Sequence, residues 1–288
     1  MGRVLDLAEE ETRPRIRRLI GYFAQALACL AYGLHPKYFS FQLSDMLGLG
    51  ICYEYHISGA VCRTISVVIK GKRKVHVIEL VKHIDIYEQW KYNFKAVDNW
   101  GALMHLRLSF LEQENVEFSK QGLKDYFDHI AEVHGIELEC NVIAINSLAD
   151  IDVSLLEMWD GKFVVVNGMF VLSKMLLGAL ALEKLLQRVR DVMRADIMIV
   201  VEHDANHNQS DFLLRFDESL EYCSSLFKEL DEDIYGIEAY YRYQICNIVA
   251  CEGSNMVELH QTLAQWKSFP IHYGFSIFNF STKYVMIS

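Results

Sequence analysis

From Lys74 onward, short runs of apolar and β-branched residues alternate with longer stretches of helical periodicity, and this alternation constrains the fold more than any other feature. The runs are Val75 to Leu80, Leu106 to Phe110, Glu137 to Ile143, Phe163 to Asn167 and Asp196 to Glu202. Each has strand length and strand composition. Between them, Lys120 to His134, Leu148 to Glu157, Val171 to Arg194 and Ser210 to Leu230 carry helical patterns, and further helices are expected at Tyr241 to Glu252 and Val257 to Trp266. Strands linked by helices of this length predict an α/β fold with a mostly parallel sheet covered on both faces.

The first part of the chain reads differently. Ile16, Leu19, Ile20, Phe23, Leu27 and Leu30 recur three and four residues apart behind Pro14, which places them on one stripe of a helix over residues 14–32. Such a stripe either packs in a core or forms a seam for a partner helix, and Leu19, Phe23 and Leu27 are the first candidates for partner contact. Ser40 to Leu49 and Tyr53 to Ile69 continue the helical pattern, so residues 1–70 are expected to be helical and residues 71–288 to hold the α/β core. Three prolines and no Gly/Ser-rich run leave no place for a flexible linker, and one compact unit with subdomains is expected.

Composition narrows the function classes. A formal charge of −10 argues against a general nucleic-acid backbone binder. The basic cluster Lys70, Lys72, Arg73 and Lys74 reads as a solvated turn before a strand in preference to a nuclear-import signal. Seven cysteines without CxxC spacing read as buried thiols in a reducing compartment. No apolar run reaches the roughly 18 residues of a membrane span, and charged residues from Glu9 to Arg18 do not suit a signal peptide, so an intracellular protein is expected.

Chemistry is harder to place. A dinucleotide or methyl-donor site needs glycines directly after the first strand, so that backbone N–H groups approach the ligand closely. Here Val81, Lys82, His83, Ile84, Asp85, Ile86 and Tyr87 follow Leu80, and the next glycine is Gly101. No cofactor is expected. The densest polar run, Glu202-His203-Asp204-Ala205-Asn206-His207-Asn208, lies at a strand end where open sheets take ligands. His203, Asp204 and His207 are candidate metal ligands, but their spacing matches no metal motif; the preferred reading is a hydrogen-bonded turn with Asn208 or Ser210 capping a helix near Asp211. With no GxSxG, no Ser-x-x-Lys and only scattered carboxylates, the chain is read as a non-enzyme. The alternative is a methyltransferase-like enzyme or small-ligand receptor using the crevice near Glu79 and Glu202.

Three stretches resemble the GRAS family of plant transcriptional regulators. Val75-His76-Val77-Ile78-Glu79 resembles the VHIID motif, followed by Trp100-Gly101-Ala102-Leu103-Met104. Asn146 to Asp152, ahead of Val164 to Asn167, is similar to the region of the second leucine heptad. Val200 to Asn208, including Glu202, Asn206, His207 and Asn208, runs on through Arg215-Phe216 and Tyr222 to Gln244 to Gly253, Glu258, His260 and Trp266. The wording of the last two is most like the DELLA branch, and Leu19 to Leu30 is similar to the first leucine heptad.

The resemblance implies a Rossmann-like core with an N-terminal helical cap, and a nuclear regulator whose partners are transcription factors and other GRAS proteins, without strong DNA binding of its own. It implies a DELLA-like repressor in gibberellin signalling. Departures are Glu79 in place of aspartate, an unrelated-looking segment from Val81 to Asn99, and Ser109-Phe110-Leu111 where a glycine-containing loop is usual. Neither a DELLA segment nor most of the closing SAW region is found in the sequence.

Overall fold

The computed structural model describes residues 14–34, 61–80, 90, 93–94, 100–101, 103–113, 120–158, 160–178, 180–229, 235–281 and 284–287. The predicted helix from Ser40 to Leu49 and the first part of that from Tyr53 lie outside them. Two compact units divide the chain: residues 14–34 with 203–263, and residues 61–202 with 264–287. This division runs elsewhere than the expected boundary at residue 70, because the first helix groups with segments nearly two hundred residues away.

The larger unit is built on β1 (Lys74–Glu79), β2 (His105–Gln113), β3 (Glu137–Ile145), β4 (Phe163–Met169), β5 (Ile197–Val201), β6 (Ile277–Ser281) and β7 (Tyr284–Ile287). Their order across the sheet is β3-β2-β1-β4-β5-β7-β6. The first five are parallel, while β7 runs antiparallel to β5 and to β6. Val75, Val77 and Ile78 of central β1 are fully buried, as strands covered on both faces require. After β1 the chain moves outward to β2 and β3, then returns to the other side of β1 as β4 and β5. The carboxyl ends of β1 and β4 therefore form the topological switch point.

All five parallel strands stand where the sequence places them, β2 being longer than predicted. Ser109, Phe110 and Leu111, expected in place of a loop, are strand residues in register with Asn141, Val142 and Ile143. The helices depart more. Residues 61–69 and α3 (Lys120–Val133) agree with the prediction, and we call the former α2. Leu148 to Glu157 is instead two 3-10 turns, Leu148–Asp150 and Val153–Leu156, started by the Ser147 and Asp152 side chains accepting from Ala149 and Ser154 N–H groups. These short side chains compete with helical hydrogen bonding. The predicted Val171 to Arg194 helix is broken into α4 (Leu172–Met175) and α5 (Ala181–Gln187), with Leu180 left-handed between them, and ends in a π turn, Arg188–Val192. Among the described residues, no helix is long and apolar enough to cross a membrane.

The smaller unit packs α1 (Pro14–Tyr32) against α6 (Phe212–Glu229) and α7 (Tyr235–Ala250). Leu19, Phe23 and Ala26 are buried among Cys223, Phe227, Tyr241, Ile245 and Val249, with Leu27 packed against the same cluster. Phe23 meets Phe216 edge to face at 5.3 Å, and Gln25 accepts from Arg242 Nε at 2.8 Å. The stripe offered as a partner seam is thus turned inward: Leu19 and Phe23 are core, and Leu27 borders it. A helix predicted over Val257 to Trp266 starts only at Leu263, as α8 (Leu263–His272). Residues 257–258 are held outside the helix by Asn247, which accepts from Val257 N–H at 2.8 Å and donates to the Glu258 carbonyl at 2.9 Å.

Candidate functional site

The switch point is where a ligand would be sought, and Glu79 ends β1 there. Its carboxylate is 1% exposed. Trp90 donates its indole N–H to one oxygen and Asn167 of β4 its amide to the other, each at 2.7 Å. Leu80 N–H donates to the Asn167 carbonyl at 2.8 Å, tying the two strand ends together. Trp90 is fully buried and leans on Phe94, which also packs on Trp100 and Phe127. Both Glu79 carboxylate oxygens are therefore satisfied by the protein itself. A buried indole stands beside them where a glycine-lined turn would leave room for a cofactor.

Burial pushes the Glu79 carboxyl up from 4.5 to about 7, against the two hydrogen bonds, which favour the charged form. Asn167 Oδ1 is buried without a partner, so turning the amide over gives a protonated Glu79 an acceptor. Unfolded, the group loses its proton near its ordinary value; folded, only near 7. Between those values the unfolded chain binds fewer protons, so this group's contribution falls as pH rises through the window, by about 3 kcal/mol in all. Glu79→Gln is expected to stay within about 1 kcal/mol of the native chain near pH 7 and to flatten this slope. Urea midpoints measured across the window check it; an unchanged slope would assign the titration elsewhere.

The rest of the motif is buried. Val75, Val77 and Ile78 fill the core. His76, fully buried, has Ser109 Oγ 2.8 Å from Nε2 and Lys162 Nζ 3.0 Å from Nδ1. An ammonium only donates, so Nδ1 accepts and Nε2–H donates to Ser109. Burial, then Lys162 and Arg107, lower the His76 pKa to about 3. His76, Arg107 and Glu139 stand side by side across β1, β2 and β3. Arg107 donates to Glu139 and to the carbonyl of left-handed Glu157, anchoring the 3-10 segment to the sheet.

Glu202, the second acid of the supposed crevice, is engaged in the same unit: Oε1 accepts from Leu172 N–H at 2.6 Å and Ser173 N–H at 3.3 Å, fixing the start of α4.

In the smaller unit the polar run does not converge on a metal. His203 lies between the Tyr222 and Tyr240 hydroxyls, each at 2.9 Å. Asp204 Oδ1 accepts from Leu263 N–H at 2.7 Å. His207 and His260 share a hydrogen bond between their Nδ1 atoms at 2.9 Å, and burial with the neighbouring imidazoles lowers the His207 pKa to about 2. Among the described residues, no group of three or more His, Cys, Asp or Glu side chains is arranged to hold a metal. Asn206 contributes its carbonyl, which accepts from Gln209, while Asn208 Oδ1 is buried without a partner. The cap of α6 is Asp211, accepting from Leu214 N–H at 3.0 Å, and not Asn208 or Ser210. Arg215 ties α6 to α7 through the Ile248 carbonyl and Glu252. Sequence reasoning missed Trp90, Tyr240 and Arg107. Only Trp90 left a signal, as an indole eleven residues beyond the buried acid.

Comparison with known proteins agrees with this architecture. The GRAS domain family model matches residues 59–286. The match therefore reaches into β7. The chain is 35% identical over 281 residues to DELLA protein GAI1 of Vitis vinifera, covering 88% of this chain and 45% of that protein. It is 34% identical over 271 residues to DELLA protein GAI of Arabidopsis thaliana, covering 88% and 50%. It thus spans about half the length of these relatives. The crystal structure of SCL7 in Oryza sativa superposes with a TM-score of 0.77 at 18% identity, over 93% of this chain and 77% of that one, and shares the Rossmann-like fold. With a family match across most of its length, and DELLA proteins among its relatives, the chain belongs to the GRAS domain family.

Proposed function

We propose that this chain is a nuclear transcriptional regulator that acts by binding transcription factors and other GRAS proteins, as a DELLA-like repressor in gibberellin signalling and plant growth control. The observation that carries this reading is similarity to DELLA proteins over nearly nine-tenths of the chain. The switch point agrees with it, because Trp90 and Asn167 use the Glu79 carboxylate that a small molecule would otherwise meet. Function then lies in surfaces that grip other proteins.

Seedlings that accumulate the chain fused to a fluorescent protein are expected to show nuclear signal and shortened stems, with applied gibberellin restoring part of the elongation. Normal stems at high protein level would remove the growth-repressor role. Saturable binding of S-adenosylmethionine in calorimetry would instead support the methyltransferase-like alternative and overturn the closed-crevice reading.

A further inference from the structure

The chain carries a net charge of −10, yet one small region is strongly cationic. Lys70, Lys72 and Arg73 in the turn between α2 and β1, Lys74 at the start of β1 and Arg63 on α2 are all exposed. Among the described residues none of these five forms an ion pair, whereas Arg107, Lys184, Arg190 and Arg215 each have a carboxylate within 4.0 Å. In a protein with 38 acidic residues, cations at close quarters that meet no carboxylate among the described residues concentrate positive potential at one place.

The backbone here is fixed. Lys72 N–H donates to the Ile69 carbonyl, and the Arg73 carbonyl accepts from both Met104 and His105 N–H groups. Gly71, with φ of +76°, donates its N–H to the Trp100 carbonyl at 3.1 Å. A segment held this way is poorly suited to be read as an extended import peptide; it presents a cationic surface of constant shape. That surface also has an apolar side. Lys72 Nζ stands 4.3 Å from the Phe163 ring centroid, Arg73 contacts Met104 Sδ, and Met104 is 55% exposed.

We propose that this turn docks a short acidic peptide segment of a partner protein, whose carboxylates face Lys70, Lys72, Arg73 and Lys74 while an apolar side chain covers Met104. A long polyanion suits the site less well, because the cations span a single turn and the rest of the chain repels negative charge. The proposal stands apart from the gibberellin role and does not require it.

The test is fluorescence anisotropy with the full chain and a labelled peptide of alternating acidic residues, leucine and phenylalanine, against a labelled DNA duplex. The peptide is expected to bind at low salt and to weaken several-fold when salt rises to about 0.2 M. Lys72→Glu/Arg73→Glu should weaken it about tenfold or more, and Met104→Ala about threefold. Should the double variant melt early, Lys70→Ala/Lys74→Ala keeps the question open to measurement, with a loss of several-fold expected. No peptide binding, binding unaffected in these variants, or tighter binding of the duplex would overturn the proposal.

Discussion

Trp90→Ala is expected to destabilise the larger unit by about 4 kcal/mol, among the largest effects available from one substitution in this chain. Two losses add. The indole is fully buried against Phe94, itself packed on Trp100 and Phe127, so truncation opens a cavity in a tightly packed aromatic layer. The N–H that satisfies Glu79 Oε1 also disappears, leaving a buried carboxylate oxygen without that donor. Trp90→Phe separates the two, since it keeps most of the volume and removes the donor; about 1–2 kcal/mol is expected for it. Urea unfolding followed by circular dichroism measures both. A cost below about 1 kcal/mol for the alanine variant would mean that the indole is not what closes the switch point.

Leu19→Asp should be more damaging still, and it decides between the two roles open to the N-terminal stripe. Leu19 is fully buried with Phe23, Phe227 and Tyr241 in the core joining α1, α6 and α7. The side chains of that cluster are apolar apart from the Tyr241 hydroxyl and the Cys223 thiol, so the substitution either buries a charge in apolar surroundings or expels α1. Leu19→Ala, for comparison, is expected to cost about 3 kcal/mol. Rapid proteolysis within residues 203–263 and loss of near-ultraviolet dichroism are the expected signs for the aspartate variant. A well-folded aspartate variant that lost only a binding partner would restore the seam reading.

The parallel strands were legible because each is a short run rich in apolar and β-branched residues or alternating with polar ones, a pattern unlike an amphipathic helix, and the five of them fix the fold class. Helix breaks were not. Ser147 and Asp152 stop a helix by capturing N–H groups two residues on, and Asn247 pins residues 257–258, a contact that periodicity does not encode. Leu19, Phe23 and Leu27 were correctly placed on one helical face, but a stripe does not state whether its cover comes from the same chain. The candidate site was half legible. Glu79 was legible as the acid that ends β1, but its partner Trp90 sits in a segment that resembles nothing familiar. The histidine cluster drew attention as potential ligands, whereas tyrosines supplied by α6 and α7 engage His203.

The discontinuous smaller unit has a consequence for synthesis. The side chains that cover α1 lie at residues 212–249, so α1 leaves the ribosome long before its cover is translated. At roughly 5–20 residues per second, that interval lasts on the order of ten seconds or more. During it Leu19, Phe23 and Ala26 lie open on the nascent chain, a natural binding segment for a holding chaperone until the second half of their unit arrives.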